Sequence, residues 1–246
     1  MTTCRLLIDP PATGPWNMAV DEALLEHAAS GGWTLRFYAW SEPTLSLGYF
    51  QTHHDRQTHI SSLGLPMVRR ASGGGAIVHD QELTYSLSGP TESASSAAAQ
   101  RRFRAIHAVW VEVLAALGAE AHLYQAALSD PHATGPFLCF ERRAEGDVLV
   151  DGFKVAGSAQ RRRRGAVLQH GSVLLGTSAA APELPGLADL ACTRPNAQEW
   201  IDLALGPLAR ALKMRFEHGE MTRPESVRAA TCAADQYALS GWNERR

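Results

Sequence analysis

The chain has 246 residues, 45% of them hydrophobic, and a formal net charge of −2. That length and apolar content suit one large domain with a substantial core, and the near-neutral charge argues against a dedicated nucleic-acid binder. No run approaches the roughly 20 apolar residues that cross a bilayer, and the N-terminus lacks the apolar stretch of a signal peptide, so a cytoplasmic protein is expected.

In chain order, residues 4–8 read as a strand broken by Pro10-Pro11. Trp16, Val20, Ala23, Leu24 and His27 recur at helical spacing, with Asp21 and Glu22 facing elsewhere. This predicts an amphipathic helix ending near Gly31-Gly32. Trp33–Tyr38 and Thr44–Gly48 read as strands around a Ser41-Glu42-Pro43 turn. Met67–Arg70, Ala76–Val78 and Leu83–Leu87 read as short strands, and residues 88–100 as a loop. Phe103, Ile106, Trp110, Val113, Leu114 and Leu117 mark a helix closed by Gly118. Residues 125–138 read as irregular. Val148–Val150, Phe153–Gln160 and Ala166–Leu175 read as antiparallel strands, with Arg161–Arg164 at a hairpin tip. The end of the chain reads as helical. One helix follows Asn196, with Pro207 expected to kink or divide it, and another follows a capping box at Thr222-x-x-Glu225. Strands in the middle and helices on the flanks predict an α+β fold rather than a βαβ one.

Two glycine-rich segments stand out. The first is Arg69-Arg70-Ala71-Ser72-Gly73-Gly74-Gly75-Ala76-Ile77-Val78-His79-Asp80. The second is Gly152-Phe153-Lys154-Val155-Ala156-Gly157-Ser158-Ala159-Gln160, followed by Gln169-His170-Gly171-Ser172. Each sets a cation beside backbone that a ligand can approach closely. Lys154 lies between apolar neighbours, where an inward lysine is expensive without a task. Cys139 precedes it by fifteen residues. A nearby ammonium favours the thiolate form of a cysteine, so the pair is a candidate for acyl transfer. Cys4, Cys192 and Cys232 have no motif around them and read as structural. With no CxxC pair, and with His53, His54 and His59 in a polar loop lacking suitable partners, no metal site is expected.

The Arg70/Gly73–Gly75/His79 string, the Lys-x-x-Gly-Ser-Ala-Gln string at Lys154 and the later His-Gly-Ser resemble the biotin/lipoate protein ligase superfamily. So do Asn17–Leu25 and Pro43–Gly48. The Cys139–Lys154 spacing and the segment His79–Ser86 are most similar to the Gram-positive-type octanoyltransferases. Gly75 departs from this pattern, because those transferases typically carry arginine there, and it reads more like a lipoate ligase. The resemblance implies a mixed, largely antiparallel sheet with flanking helices, like the superfamily's catalytic domain. It also implies one catalytic domain over residues 1–246, since little chain follows Trp242 to form a C-terminal accessory domain.

By the same resemblance, Cys139 is the nucleophile and Lys154 its partner. Arg70, Gly73, Gly74, Gly75, His79, Gly157, Ser158, Ala159, His170 and Gly171 bind substrate. The implied reaction passes octanoyl from octanoyl-acyl carrier protein, through a cysteine thioester, to a lysine of a lipoyl domain or glycine-cleavage carrier protein. No cofactor is required, and a monomer is expected. Trp40, Leu45 and Leu47 are expected to line the acyl tunnel, where burial contributes about 0.8 kcal/mol per methylene. Two alternatives stand beside it. One is a ligase that uses ATP and Mg²⁺ to adenylate free lipoate, with Cys139 incidental. The other is a non-catalytic paralogue that only binds carrier proteins. Arg161, Arg162, Arg163 and Arg164 read either as a soluble surface or as a docking patch for an acidic partner.

Overall fold

A computed structural model describes residues 1–91, 96–125, 135–191 and 196–246. In order these form β1 (Thr2–Ile8), α1 (Gly14–Gly31), β2 (Trp33–Tyr38), β3 (Thr44–Leu47), β4 (Met67–Arg69), β5 (Ile77–His79), β6 (Glu82–Pro90), α2 (Ser96–Ala116) and β7 (Ala121–Leu123). There follow β8 (Val148–Val150), β9 (Phe153–Arg163), β10 (Ala166–Leu174), α3 (Leu187–Leu190), α4 (Ala197–Leu212), β11 (Met214–His218), α5 (Arg223–Cys232) and α6 (Ser240–Asn243).

The main sheet has eight strands in the order β11-β1-β2-β6-β10-β9-β8-β7. Strand β1 runs parallel to β11 and β2, and the other neighbours are antiparallel. This is the mixed, largely antiparallel α+β sheet expected from the sequence. A separate small sheet, β4-β3-β5, carries the first glycine loop between β4 and β5.

Alternation along the strands divides the core. Leu6 joins the cluster in which Ile106, Trp110 and Leu114 of α2 and Trp200 of α4 pack on Leu35, Phe37 and Leu87. Its neighbour Leu7 points the opposite way, to Val20, Ala23 and Leu24 of α1 and Ala229 of α5. Successive strand residues face opposite sides, so helices cover both faces.

Several expectations change. Helix α1 is not polar on one side: Asp21 and Glu22 are both buried. It lies between the sheet and the C-terminal helices, and each carboxylate meets a cation, Asp21 with Arg36 and Glu22 with Arg163. Of the residues expected as a loop over 88–100, β6 takes those up to Pro90 and α2 those from Ser96, while 92–95 lie outside the described residues. The chain end is not wholly helical, since β11 intervenes and pairs with β1. Pro207 sits inside α4 without dividing it. The carbonyl that loses its partner belongs to Leu203, which is exposed, so solvent can take the bond. The expected cap forms between Thr222 and Glu225, and a second one joins Asn196 to Glu199. Residues 126–134 of the irregular segment, and Cys192, lie outside the described residues.

His107 of α2 ties this face to the loop before β8 and to β9. Its Nδ1 donates to the Gly146 carbonyl at 2.7 Å, and its Nε2 lies 2.8 Å from Ser158 Oγ. Burial pushes its pKa down from 6.5 to about 4, against the pull of the Gly146 carbonyl and Asp147. The unfolded chain therefore binds a proton that the folded chain refuses between these values. Stability is full above pH 6.5 and falls as pH drops toward 4. On urea unfolding at pH 7 and pH 4.5, we expect a His107→Gln variant to lose roughly 2–3 kcal/mol less than the parent chain over that interval.

Candidate active site

The first glycine loop is held by its own arginine. Arg70 Nη1 donates to Ser46 O at 2.8 Å and to Ser46 Oγ at 2.6 Å. Its Nη2 donates to Gly75 O at 2.8 Å and Gly73 O at 3.3 Å. Burial lowers its pKa to about 10, with the Cys139 sulfur opposing that shift, so it stays a cation at neutral pH. Gly74 supplies the turn with φ +99°, a region that favours glycine. His79 lies beneath, with Nε2 2.7 Å from Ser46 Oγ and Nδ1 3.1 Å from Glu82. Trp40 stacks on its ring at 3.8 Å. Burial holds the His79 pKa below its ordinary value. Arg70 and His79 thus shape the loop from inside.

Cys139 is stitched to this loop by backbone. Its N–H donates to Ala76 O at 2.7 Å, and Ala76 N–H donates to Phe137 O at 3.1 Å. A Cβ on Gly75 would fall 3.0 Å from both the Cα and the N of Cys139. Gly75 therefore permits close approach of the cysteine segment and does not itself line the cleft. The chain turns at Cys139 into one turn of 3₁₀ helix, Cys139–Glu141.

Strand β9 delivers Lys154 from behind. Its Nζ lies 3.7 Å from Cys139 Sγ, 3.4 Å from Cys139 O and 2.8 Å from Asp147 Oδ2. Lysine and aspartate are both almost wholly buried. Burial works against the ammonium, but the Cys139 sulfur and the Asp147 carboxylate outweigh it and raise the Lys154 pKa. Lys154 is therefore a fixed cation beside the sulfur. Its stem occupies the space a side chain at 157 would need, since a Cβ on Gly157 would sit 2.4 Å from Lys154 Cε.

These pieces surround one cleft of about 470 Å³, mouth included. Arg70, Gly73, Gly74, His79, Cys139, Gly157, Ser158, Ala159, His170 and Gly171 all line it, while Gly75 and Lys154 stand behind its wall. Its apolar lining comes from Met18, Ile77 and Phe140, with Tyr38 beside them. Leu45 and Leu47, expected in the tunnel, are instead packed in the small sheet's core, and Trp40 lies against His79.

A second chain of groups reaches the cleft wall. His170 Nδ1 lies 3.0 Å from Asp21 Oδ2, and its Nε2 lies 2.5 Å from Ser72 Oγ. Asp21 also accepts from Arg36, Tyr38 and Ser86. Burial opposes the Asp21 charge, yet the His170 hydrogen bond and Arg36 hold its carboxyl below the usual range. The ionised Asp21 orients the imidazole through Nδ1, which turns Nε2 toward Ser72. Sequence reasoning missed Asp147, Asp21 and Ser72. Only Asp147 had a signal: an inward lysine demands a carboxylate, and this one opens the apolar run of β8.

Known proteins share this chain's sequence family and fold. Residues 14–184 match the model of the lipoyl protein ligase A/B catalytic domain. The Octanoyltransferase LipM of Kyrpidia tusciae is 33% identical over 278 aligned positions, with all of both chains covered. That of Brevibacillus brevis is 30% identical, again over all of both chains. Among solved structures, lipoate-protein ligase A bound with ATP superposes with a TM-score of 0.80 at 22% identity, covering 99% of each chain. A bi-partite lipoate protein ligase from Thermoplasma acidophilum gives 0.78 at 22% identity, covering 99% of this chain and 97% of the other. The chain belongs to the lipoyl protein ligase A/B catalytic-domain family. Its full-length relatives make it an acyltransferase within that family.

Removing one member of a buried ion pair strands the other charge at about 3–5 kcal/mol, whereas replacing both is nearly neutral. Urea titration should therefore show Asp147→Asn destabilised by about 3 kcal/mol. The double variant Asp147→Asn, Lys154→Met should recover most of that loss.

Proposed function

We propose that the protein moves an octanoyl group from a carrier-protein thioester to an acceptor-protein lysine, with Cys139 carrying the acyl group in between. The observation that carries this reading is the Cys139 sulfur 3.7 Å from the Lys154 ammonium, on the wall of a cleft with an apolar lining. That ammonium sets a positive charge beside the sulfur. The thiolate attacks the donor thioester, a carbon–sulfur bond forms to Cys139, and the donor's carbon–sulfur bond breaks. The Gly73-Gly74 backbone on the same wall is assigned to the oxyanion.

The second half needs a base, because an acceptor lysine arrives as an ammonium. Asp147 keeps Lys154 protonated, so Lys154 has no room for that proton. His170 does, with its Nδ1–H directed to Asp21 and its Nε2 lone pair available directly or through Ser72. The freed amine then forms the amide carbon–nitrogen bond. The thioester bond to Cys139 breaks, and the amine's second proton neutralises the departing sulfur. This reading requires neither nucleotide nor metal.

Intact-protein mass spectrometry after mixing with octanoyl-carrier protein, without nucleotide, should show one added octanoyl group that hydroxylamine removes. Cys139→Ala should abolish it. A Cys139→Ala chain that still modifies acceptor lysine, and only with ATP and Mg²⁺, would sink the covalent route in favour of a ligase. Single-turnover assays separate the halves. His170→Gln should leave Cys139 acylation within about twofold and slow transfer to the acceptor lysine by roughly 10²-fold or more, the usual worth of a general base.

A further inference from the structure

The arginine run at the β9–β10 hairpin does not act as one block. Arg163 is engaged by Glu22 and Glu26, and Arg164 occupies the turn with φ +46°. Arg161 instead leans over the ring of Tyr49, its guanidinium carbon 5.2 Å from the ring centre. Two residues far away in sequence meet it there. Arg245 lies 4.1 Å from the Tyr49 ring and 3.5 Å from the Trp242 ring. Arg246 lies 5.7 Å from Tyr49 and 5.5 Å from Phe50.

Among the described residues, no carboxylate pairs with Arg161, Arg245 or Arg246. By contrast Arg5, Arg36, Arg163, Arg210, Arg215 and Arg228 each have one. Nε and one terminal nitrogen of Arg245 are covered yet meet no acceptor. Arg69 beneath them has its pKa lowered by burial and further by Arg245 and Arg246, so the cluster is under mutual repulsion. A chain of net charge −2 thus concentrates uncompensated positive charge at one place.

That place is the rim of the cleft. Tyr49 N–H donates to Ser72 O at 2.8 Å, in the first glycine loop. The Phe50 ring is 65% exposed and lies 3.5 Å from where a Cβ on Gly73 would stand. Gly73 lines the cleft, as does Ala159, two residues before Arg161. The patch is therefore continuous with both glycine-rich segments.

We propose that Arg161, Arg245 and Arg246, mounted on Tyr49, Phe50 and Trp242, dock the acidic face of the carrier protein that donates the acyl thioester. This rests on the octanoyl-transfer reading above. Charge complementarity selects the donor over the acceptor. The acceptor's reacting group is itself an ammonium, which an unpaired arginine cluster at the rim repels. A donor that carries its thioester on a phosphodiester-linked arm brings negative charge to the same place. Aromatic rings under the guanidinium groups hold them in position without neutralising them. Rim charges of this kind act on encounter and its salt dependence more than on the chemical step.

The test compares two donors with the chain carrying Arg161→Gln, Arg245→Gln and Arg246→Gln together. With octanoyl-carrier protein, kcat/KM for Cys139 acylation should fall at least tenfold and lose most of its dependence on salt. With a small neutral octanoyl thioester the rate should be unchanged, as should transfer from pre-acylated enzyme to the acceptor. Lysine at all three positions should restore most of the carrier-protein rate. Equal losses with both donors, no loss with the carrier protein, or a loss confined to the acceptor step would each overturn the proposal. If the unaltered chain is acylated by neither donor, the octanoyl-transfer reading itself falls.

Discussion

A lysine ammonium cannot be taken out of water without a partner, and the site is built around that restriction. Several kcal/mol of lost hydration must be offset for each buried ion, which is why Lys154 lies against Asp147 at 2.8 Å. Once the pair exists, its surroundings have few options. Residue 157 has to be glycine, because any Cβ there would overlap the lysine stem. At residue 75 a Cβ would stand 3.0 Å from Cys139 Cα and N, so glycine lets the cysteine segment pack against the loop without adjustment. The sulfur thus sits where the first glycine loop, the turn at Cys139 and β9 meet.

Asp21 plays the matching part on the other side of the cleft. Its carboxylate receives hydrogen bonds from Arg36, Tyr38, Ser86 and His170, drawn from β2, β6 and β10. The bonds anchor α1 to the middle of the main sheet and set the orientation of His170 through its Nδ1. One buried anion therefore fixes both a helix and an imidazole, while a buried cation fixes the sulfur. The two charges are kept apart, each with its own countercharge.

Much of this was legible from residue order, and the exceptions share a cause. Strands such as Trp33–Tyr38 and Val148–Val150, and helices with side-chain caps at Asn196 and Thr222, announce themselves through local periodicity and local hydrogen bonds. Strands β7 and β11 do not, being short, lying at the sheet's edges and keeping several exposed positions. Periodicity also sends Asp21 and Glu22 to water by default, since it cannot see that α1 is covered on two sides. In the site, Cys139 and Lys154 are recognisable from their spacing and motifs. Asp147 is marked only by the need of an inward lysine for a carboxylate, and the roles of Asp21 and Ser72 come from the groups they bond across the fold. The apolar lining was misassigned for the same reason: Leu45 and Leu47 are hydrophobic near a glycine loop, but the small sheet turns them to its own interior.

The parallel pairing of β1 with β11 joins Thr2–Leu6 to Met214–His218. A ribosome releases the first of these segments long before it makes the second. During that interval one side of β1 offers bare peptide groups to any passing strand. The nascent molecule can assemble its middle hairpins early, because β9 and β10 are neighbours in sequence, yet this side of β1 is covered only after residues 214–218 are made. Ordering of this side is thus a late event by geometry, and a chain cut short before residue 214 leaves that seam open.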